Sequence, residues 1–379
     1  MKKYRVLFNL GTLKKGGGQN VGLNFLHAYV KLNPVDIDAY FLVAADSDVH
    51  RFVLKNKLNI IRVVSNNPAK RIIQEYFQAS LKIKQLKIDV IYSYFGYGVF
   101  QHVAPQVSGS ADSNLYYPEV DFWCHYKGVH RLAKWVIDKY RVFGIKRSDA
   151  LIFENKALEE RAKTLFGIEK TQYIKPSINF HIKSIDYPLP PECIKSSKIG
   201  LFLCGWQLNK NIMLIPQLAK DLRERGINFQ FIITATKDDS EICKQFCNKL
   251  EEFQVKDMVS IVGGVSKSQL KSLYEQVDFV FLLSLLESFS NNIIESWYFE
   301  RPLIVADEGW SRSICKKAAI FVDRDSPDSI CQGVSNLINN PESSNEVVTE
   351  GIKELATFPT IDERTLEELR YLKYVSQTH

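Results

Sequence analysis

The stretch from Phe279 to Asp307 restricts the fold of this chain more than any other part of the sequence. It begins with an apolar run, 279–286, whose aromatic and aliphatic residues are typical of a strand buried on both faces of a parallel sheet. A second apolar run follows at Leu303–Ala306, and a helical pattern lies between the two. The stretch therefore predicts a strand, a loop, a helix and a second strand, which is the repeating unit of α/β proteins.

The helix in this unit is predicted from its ends and from its apolar face. Asn291 and Asn292 are good N-cap residues, and the dipeptide Arg301-Pro302 ends the helical pattern. The apolar face consists of Ile293, Ile294, Trp297 and Tyr298. The loop before the helix lies at the carboxyl end of a strand, and the helix N-terminus offers free N–H groups and a partial positive charge. This loop is therefore a candidate anion site.

Two carboxylates, Glu287 and Glu295, lie eight positions apart around this loop. We expect Glu287 at the entrance of the loop and Glu295 on the first helical turn, so that both face one cleft. Each residue also has a simpler explanation. Asn292-Ile-Ile-Glu295 fits a capping box, in which Glu295 only bonds back to the start of the helix. A single Glu after a strand, such as Glu287, is usually a solvated loop charge.

Elsewhere in the sequence, short apolar runs alternate with longer helical segments, and this alternation predicts parallel sheets. In the first half the predicted strands are 5–10, 39–45, 59–64, 89–95, 104–107 and 150–153, and the main helical segments are 68–86 and 127–147. A length of 379 residues allows two domains, and the segment 181–197, with its prolines among charges, predicts a linker. We therefore predict Rossmann-like domains at 1–180 and 198–357 and a C-terminal helix within 358–379.

Charge is distributed unevenly along the chain. Residues 1–179 contain 27 Lys and Arg against 15 Asp and Glu, whereas residues 180–379 contain 22 against 28. The first half therefore has a net charge of +12 and the second of −6, although the overall net charge is only +6. A basic half indicates an anionic partner, either nucleic acid or a membrane surface, and no nucleic-acid motif accompanies it.

The segment Lys127–Arg147 carries seven of these basic residues and one Asp. Its apolar residues at roughly helical spacing are Leu132, Trp135, Val136, Tyr140 and Phe143. A basic amphipathic helix with Trp and Tyr suits an anionic membrane surface, near which each basic residue contributes about 1 kcal/mol. The alternative is a surface helix whose apolar stripe packs on the sheet, and both interpretations can hold together.

Targeting signals and membrane spans are not predicted. The apolar stretch near the N-terminus is too short for a signal peptide, and the longest apolar run is far below the roughly 20 residues that span a bilayer. We expect a cytoplasmic protein, with peripheral association at the inner face of the membrane as a further hypothesis.

The stretch Glu287-Ser-Phe-Ser-Asn-Asn-Ile-Ile-Glu295 resembles the signature of retaining glycosyltransferases with the GT-B fold, in which seven residues separate two Glu. This is the large group 1 family that includes sucrose synthase and mannosyltransferases. Phe289 occupies a position at which the family commonly has Phe, and 299–307 resembles the turn, Pro and strand that follow the signature. The resemblance implies two Rossmann-like domains with parallel sheets facing across a cleft, and a last helix that crosses back to the first domain.

The resemblance also implies which residues bind a nucleotide diphosphate sugar. Glu295 would hold the ribose hydroxyls, Glu287 the donor sugar and Lys210 the diphosphate. The further donor-binding residues are Gly16, Gly17, Gly263, Ser290, Asn291 and Asn292. We expect Lys210 and Glu287 to act in catalysis. Departure of the diphosphate develops negative charge that Lys210 and backbone N–H groups of the loop would stabilise, while Glu287 holds the donor sugar.

The chain departs from the family pattern at several positions. Where the family clamps the diphosphate with an Arg and a Lys, the Arg position holds Trp206, and Arg312 or Lys14 are candidate replacements. Gln19 and Asn20 follow the glycines at 16–18 in place of Glu and Arg.

On the acceptor side, Ser110, Asp112 and Asn114 lie near the loop in which many relatives carry a His, and we take these three as candidate acceptor-side residues. An aromatic cluster precedes them and suits either a core or a sugar pocket: Tyr92, Tyr94, Phe95, Tyr97 and Phe100.

Metal ions and cofactors are not expected. Asp-x-Asp triplets, which metal-dependent glycosyltransferases use to hold a divalent ion, occur at 36–38, 46–48 and 323–325, but such triplets are common by chance. The donor, a nucleotide diphosphate sugar, would be a substrate.

Transfer of a sugar from a nucleotide diphosphate sugar to an acceptor hydroxyl is the function that these features favour, with retention implied by the resemblance alone. The basic first half suggests a glycan or lipid-linked acceptor, as in the assembly of bacterial surface polysaccharide or lipopolysaccharide O-antigen. Two alternatives stay open: a sugar-nucleotide 2-epimerase of the same fold, and a non-catalytic sugar-nucleotide-binding scaffold.

Overall fold

A computed structural model of the chain describes residues 3–14, 16–65, 67, 70, 73–74, 78–96, 98–99, 103–178, 183–191, 193 and 198–378. The chain forms two compact units. The first comprises Met1–Glu119, Tyr126–Ile178 and Pro359–His379, and the second comprises Val120–His125 and Asn179–Phe358. The boundaries between the two units fall at 178/179 and 358/359, and 120–125 belongs to the second unit. Parts of the predicted helix 68–86 and of the linker 181–197 lie outside the described residues.

The first unit is built on a parallel sheet. Its described strands are β1 Tyr4–Leu10, β2 Ile37–Ala44, β3 Asn59–Val64, β4 Val90–Ser93, β5 Gln106–Ser110, β6 Ala150–Phe153 and β7 Thr171–Tyr173. They pair in parallel in the order β3-β2-β1-β4-β5-β6-β7. The helices of this part are α1 Gly16–Leu32, α2 Asp48–Lys55, α3 Ala79–Leu86, α4 Gly128–Lys146 and α5 Lys156–Phe166.

The second unit repeats the same architecture. Its described strands are β8 Lys198–Phe202, β9 Phe229–Ile233, β10 Val259–Ile261, β11 Phe279–Leu282, β12 Leu303–Ala306 and β13 Ile320–Val322, in the parallel order β10-β9-β8-β11-β12-β13. The helices are α6 Ile215–Glu224, α7 Glu241–Glu252, α8 Leu270–Glu275, α9 Asn291–Tyr298, α10 Gly309–Cys315, α11 Pro327–Asn339 and α12 Pro341–Leu355. The two parallel sheets confirm the predicted α/β class. Within the described part of the chain, no helix is long and apolar enough to cross a bilayer.

Each sheet has one point at which the strand order reverses. In the first sheet it lies between β1 and β4, and in the second between β8 and β11. The loops on either side of such a point leave the carboxyl ends of adjacent strands in opposite directions, which opens a crevice where ligands of α/β proteins bind. The fold alone therefore predicts a binding site beyond the ends of β1 and β4 and another beyond β8 and β11.

Aromatic packing fills the interior of both sheets. All four residues of β11 are buried, and Gly200 of β8 is covered by the rings of Phe229 and Phe281, from which a Cβ at this position would be only 2.7 and 2.5 Å away. In the first unit, Tyr92 and Tyr94 lie in the core, so the structure assigns them to packing and not to a sugar pocket. The predicted members Tyr97 and Phe100 of that cluster lie outside the described residues.

The C-terminal helix, α13 Ile361–Gln377, belongs to the first unit and is fixed there by a buried ionic network. Arg364 of this helix lies 2.7 Å from Glu154 and 3.0 Å from Glu368, and the Tyr94 hydroxyl donates a hydrogen bond to Glu368 over 2.9 Å. All four side chains are buried. Since a buried carboxylate without a cation is costly, each member depends on the others.

We predict that Arg364→Met lowers the free energy of unfolding of the first unit by about 3 to 5 kcal/mol, because two buried carboxylates lose their cation. Hydrogen exchange of the β1 and β4 amides, compared with those of β8 and β11, measures the effect by unit. Arg370→Met, at an exposed position of the same helix, is the control and should leave exchange unchanged. Equal exchange in both variants would contradict the structural role of the network.

Candidate functional site

Side chains from the loops after β8 and β11 contact each other at the reversal point of the second sheet. Lys210 ends a short 3-10 turn, Leu208–Lys210, and its Nζ forms an ion pair with Oε1 of Glu287 in the loop after β11. The Ser284 hydroxyl donates a hydrogen bond to the same Glu287 oxygen over 2.7 Å. The two charged side chains keep 22% and 13% of their surface exposed, so both remain accessible to a ligand. The structure thus brings together the two residues that the sequence suggested for catalysis.

A small crevice borders this ion pair. It is lined in part by Leu203, Cys204, Lys210, Ser284 and Asn292. Burial raises the pKa of the Cys204 thiol to about 12, so this thiol is neutral at pH 7 and is no nucleophile there. The crevice itself holds only about 10 Å³, so the groups beside it that suit an anion are the Lys210 ammonium and the N-terminus of the helix that carries Asn292.

The start of α9 differs from the prediction. The N-cap residue is Ser290, which is buried, and the helix begins at Asn291. The Asn292 side chain does not cap the helix, because it donates a hydrogen bond over 3.1 Å to the Leu203 carbonyl in the loop after β8. Asn292 thereby ties the helix N-terminus to the loop that carries Lys210.

Glu295 is the fifth residue of α9 and lies on its second turn, not on the first. The third helical residue is Ile293, so the capping box proposed for Glu295 does not form. Instead, Glu295 accepts a hydrogen bond from the Tyr274 hydroxyl over 3.1 Å. Burial raises the pKa of Glu295 to about 7, although the Tyr274 bond and the charge of Lys267 pull the pKa down. Near neutral pH this carboxyl is therefore poised between its two protonation states.

A second cation lies behind the Glu287 loop. The Arg324 guanidinium donates a hydrogen bond over 3.4 Å to the Leu285 carbonyl and pairs with Glu308, and the Asn211 side chain donates over 3.0 Å to the Arg324 carbonyl. Sequence reasoning treated Arg324 only as the middle of an Asp-x-Asp triplet. Its one local signal was a basic residue two positions after a strand, which is too common to select it.

Trp206, which occupies the position of the family Arg, and Arg312, a candidate replacement, both contact other residues. The Trp206 indole donates a hydrogen bond to the Thr236 carbonyl over 2.7 Å and packs on Phe246. Arg312 is held by Asp307 at 2.6 and 2.7 Å and lies over the Phe321 ring. Arg312 is thus engaged in another contact, whereas Arg324 contacts the Glu287 loop through the Leu285 carbonyl.

The predicted glycines lie at loop positions beside the sheets. Gly263 follows β10 with φ of +87°, a conformation that favours glycine, and no atom lies within 4 Å of where its Cβ would be. Gly16 and Gly17 open α1 after β1, at the reversal point of the first sheet. Gly16 has φ of +68°, and both are exposed with open space around them. A ligand could approach the backbone closely at all three glycines.

The candidate acceptor-side residues contact neighbouring parts of the first unit. Ser110 shares a hydrogen bond with the Tyr116 hydroxyl at 2.6 Å. Asp112 lies 3.3 Å from Arg141, and the Asn114 side chain donates to Asp138 over 2.9 Å. Burial raises the pKa of Asp112, and Arg141 opposes this shift. Asp112 and Asn114 thus anchor α4, and their role toward an acceptor stays a prediction.

Acidic and sulfur ligands do not cluster in a way that suggests a metal centre. Across the described residues, no group of three or more His, Cys, Asp or Glu side chains could hold an ion.

Comparison with solved structures identifies the class of fold. The chain is similar to sucrose-phosphate synthase from Thermosynechococcus elongatus, with a TM-score of 0.71, 12% identity and full coverage of both chains. The chain is also similar to a glycosyltransferase from Rickettsia africae, with a TM-score of 0.70, 13% identity and full coverage of both chains. The structure of HepE from Anabaena in complex with UDP-glucose has a TM-score of 0.69 and 13% identity to this chain, with 97% of this chain and 100% of HepE covered. The chain therefore has the GT-B fold, as predicted.

The sequence narrows this assignment for the second unit. Residues 194–354, less than half of the chain, match the model of the family glycosyl transferases group 1. The second unit therefore belongs to that family, which confirms the resemblance seen around Glu287 and Glu295. A search of curated proteins gave no match.

The raised pKa of Glu295 predicts how stability depends on pH. The folded state favours the protonated carboxyl, so this stabilisation is complete below the ordinary pKa of 4.5 and is lost as pH rises to about 7. The loss amounts to about 3 kcal/mol. Urea unfolding across this range should therefore show wild type losing stability relative to Glu295→Gln, which mimics the neutral carboxyl.

Tyr274→Phe provides a second test of this titration. It removes the hydrogen bond that favours the charged carboxylate, so the pH at which stability is lost should move upward. Parallel pH profiles for wild type and Glu295→Gln would show that Glu295 does not titrate in this range.

Proposed function

We propose that the protein transfers a sugar from a nucleotide diphosphate sugar to an acceptor hydroxyl. The bond between the sugar and the diphosphate breaks, a bond to the acceptor oxygen forms, and the hydroxyl proton leaves with the diphosphate or into solvent. The contact of Lys210 with Glu287 at the β8–β11 reversal point is the observation that carries this proposal. It supplies a cation for the leaving group and a carboxylate for the sugar in one place.

Diphosphate binding and sugar recognition would be coupled through this ion pair. Without ligand, Glu287 neutralises Lys210. A diphosphate would compete for the Lys210 ammonium, and the Glu287 carboxylate, still held by Ser284, would then accept hydrogen bonds from sugar hydroxyls. The first N–H groups of α9, which lack acceptors within the helix, would share the negative charge of the leaving group. Each such donor typically contributes a few kcal/mol to the transition state.

Glu295 would bind the ribose of the donor. Ribose hydroxyls donate to a carboxylate more strongly than to a neutral carboxyl, so the nucleotide would favour the ionised form. Because the pKa of Glu295 lies at about 7 without ligand, nucleotide binding at neutral pH would release a fraction of a proton. Calorimetry in buffers of different ionisation enthalpy measures that release.

The donor base, the sugar and the acceptor are further parts of the proposal. HepE is described in complex with UDP-glucose, so UDP-glucose is the first donor to test. The net charge of +12 over residues 1–179 favours a glycan or lipid-linked acceptor, as in bacterial surface polysaccharide or lipopolysaccharide assembly. We further propose a retaining, metal-independent reaction, which the fold and the family of the second unit support.

Lys210→Met should lower kcat by about 100- to 1000-fold, because the variant loses the ammonium that stabilises the departing diphosphate. Release of nucleoside diphosphate from a panel of nucleotide sugars, with and without acceptor glycans, measures this loss. Lys256→Met, at an exposed site of the same unit, is the control and should turn over like wild type.

The same assay separates the alternatives. Conversion of the donor to an isomeric nucleotide sugar without acceptor would identify a 2-epimerase. Binding without consumption of any donor, with every acceptor tested, would identify a scaffold. Wild-type turnover in Lys210→Met would refute the role given to Lys210.

A further inference from the structure

Helix α4 is turned so that two of its polar residues, Asp138 and Arg141, face the rest of the first unit. Asp138 accepts a hydrogen bond from Asn114 over 2.9 Å, and Arg141 lies 3.3 Å from Asp112. Ile145, near the end of the helix, is buried. These contacts fix the rotation of the helix about its axis and leave the opposite side facing outward.

That opposite side is apolar. We call it the outer stripe and define it as Val129, Leu132, Val136, Tyr140 and Phe143. Steps of three and four residues place these side chains within one narrow arc of the helix, along about 21 Å of its length. They are between 39% and 80% exposed, and the neighbouring Trp135 is 56% exposed. The stripe therefore does not pack on the sheet, and that interpretation of the sequence is wrong.

Basic residues border the outer stripe. Lys139 and Lys146 are exposed, and the Lys139 ammonium lies 5.4 Å from the centre of the Trp135 ring. The one acidic residue of the segment Lys127–Arg147 is Asp138, which is turned inward. The exposed surface of the helix is thus apolar along its centre and positively charged at its edge.

We propose that the outer stripe binds the surface of a lipid bilayer that contains anionic phospholipid, with its apolar side chains among the acyl chains and its lysines at the headgroups. Charge complementarity favours this occupant, since the segment carries seven basic residues and its only acid faces the protein. A single helix forms a convex ridge, which can enter a lipid surface by about 5 to 10 Å. The proposal does not depend on the proposed sugar transfer.

Flotation of the full chain with phosphatidylcholine vesicles, with and without phosphatidylglycerol, tests this inference directly. Wild type should bind the anionic vesicles at low salt and lose most of this binding at high salt or without phosphatidylglycerol. The triple variant Val129→Ser, Leu132→Ser, Val136→Ser should bind about 100-fold more weakly. The control Val35→Ser, Leu54→Ser, Leu81→Ser changes three equally exposed apolar residues of the same unit and should bind like wild type.

A second pair of variants tests the charge. Lys139→Glu with Lys146→Glu should weaken binding about tenfold or more, whereas Lys82→Glu with Lys84→Glu, on the exposed side of α3, should weaken it far less. Thermal melting confirms that the variants fold.

Three results would overturn the proposal. Wild type could fail to bind anionic vesicles at low salt, or the stripe variant and its control could bind equally. Light scattering could instead show a dimer that only the stripe variant dissociates, and a second copy would then be the occupant.

Discussion

The parallel pairing of β8 with β11 is the constraint on which the candidate site depends. Gly200 and Leu201 of β8 pair with Phe279 and Val280 of β11, so the two strands end at the same edge of the sheet. The strand order reverses between them, and the loops that follow therefore diverge and leave a crevice. Lys210 and Glu287, 77 residues apart in the chain, meet only because of this pairing. Gly200 supports it, since its missing side chain makes room for Phe281 of the neighbouring strand.

Most of the fold could be predicted because it follows from local patterns. Apolar runs of strand length alternate with helical segments along the whole chain, and this alternation is sufficient for a parallel α/β architecture. Contacts between distant residues could not be predicted in the same way. Ser290, Asn291 and Asn292 are all suitable N-caps, and their local preferences do not separate them. The hydrogen bond from Asn292 to the Leu203 carbonyl explains why Asn292 is not the N-cap, and it depends on the β8–β11 pairing.

The orientation of α4 shows the same limit. The apolar period of the helix predicts a stripe but does not say whether the stripe faces the sheet or the outside. Its rotation is set by the polar contacts of Asp138 with Asn114 and of Arg141 with Asp112. Asp112 and Asn114 lie in the loop after β5, so the rotation of the helix cannot be predicted from the sequence of the helix alone. The same two residues were predicted for the acceptor side, because they lie near the loop in which many relatives carry a His.

The two Glu residues of the signature differ in their electrostatic surroundings, and this difference suits them to different tasks. Glu287 has the Lys210 ammonium and the Ser284 hydroxyl on one oxygen, so its charge is balanced locally. Glu295 accepts a hydrogen bond from the Tyr274 hydroxyl. Because Glu295 is buried and its charged form is poorly solvated, its pKa is raised to about 7. A diphosphate that draws the Lys210 ammonium away, and so leaves Glu287 to accept hydrogen bonds from sugar hydroxyls, suits the first environment. A neutral polyol that donates hydrogen bonds suits the second. A nucleotide diphosphate sugar contains both groups, a diphosphate and a ribose, in one molecule.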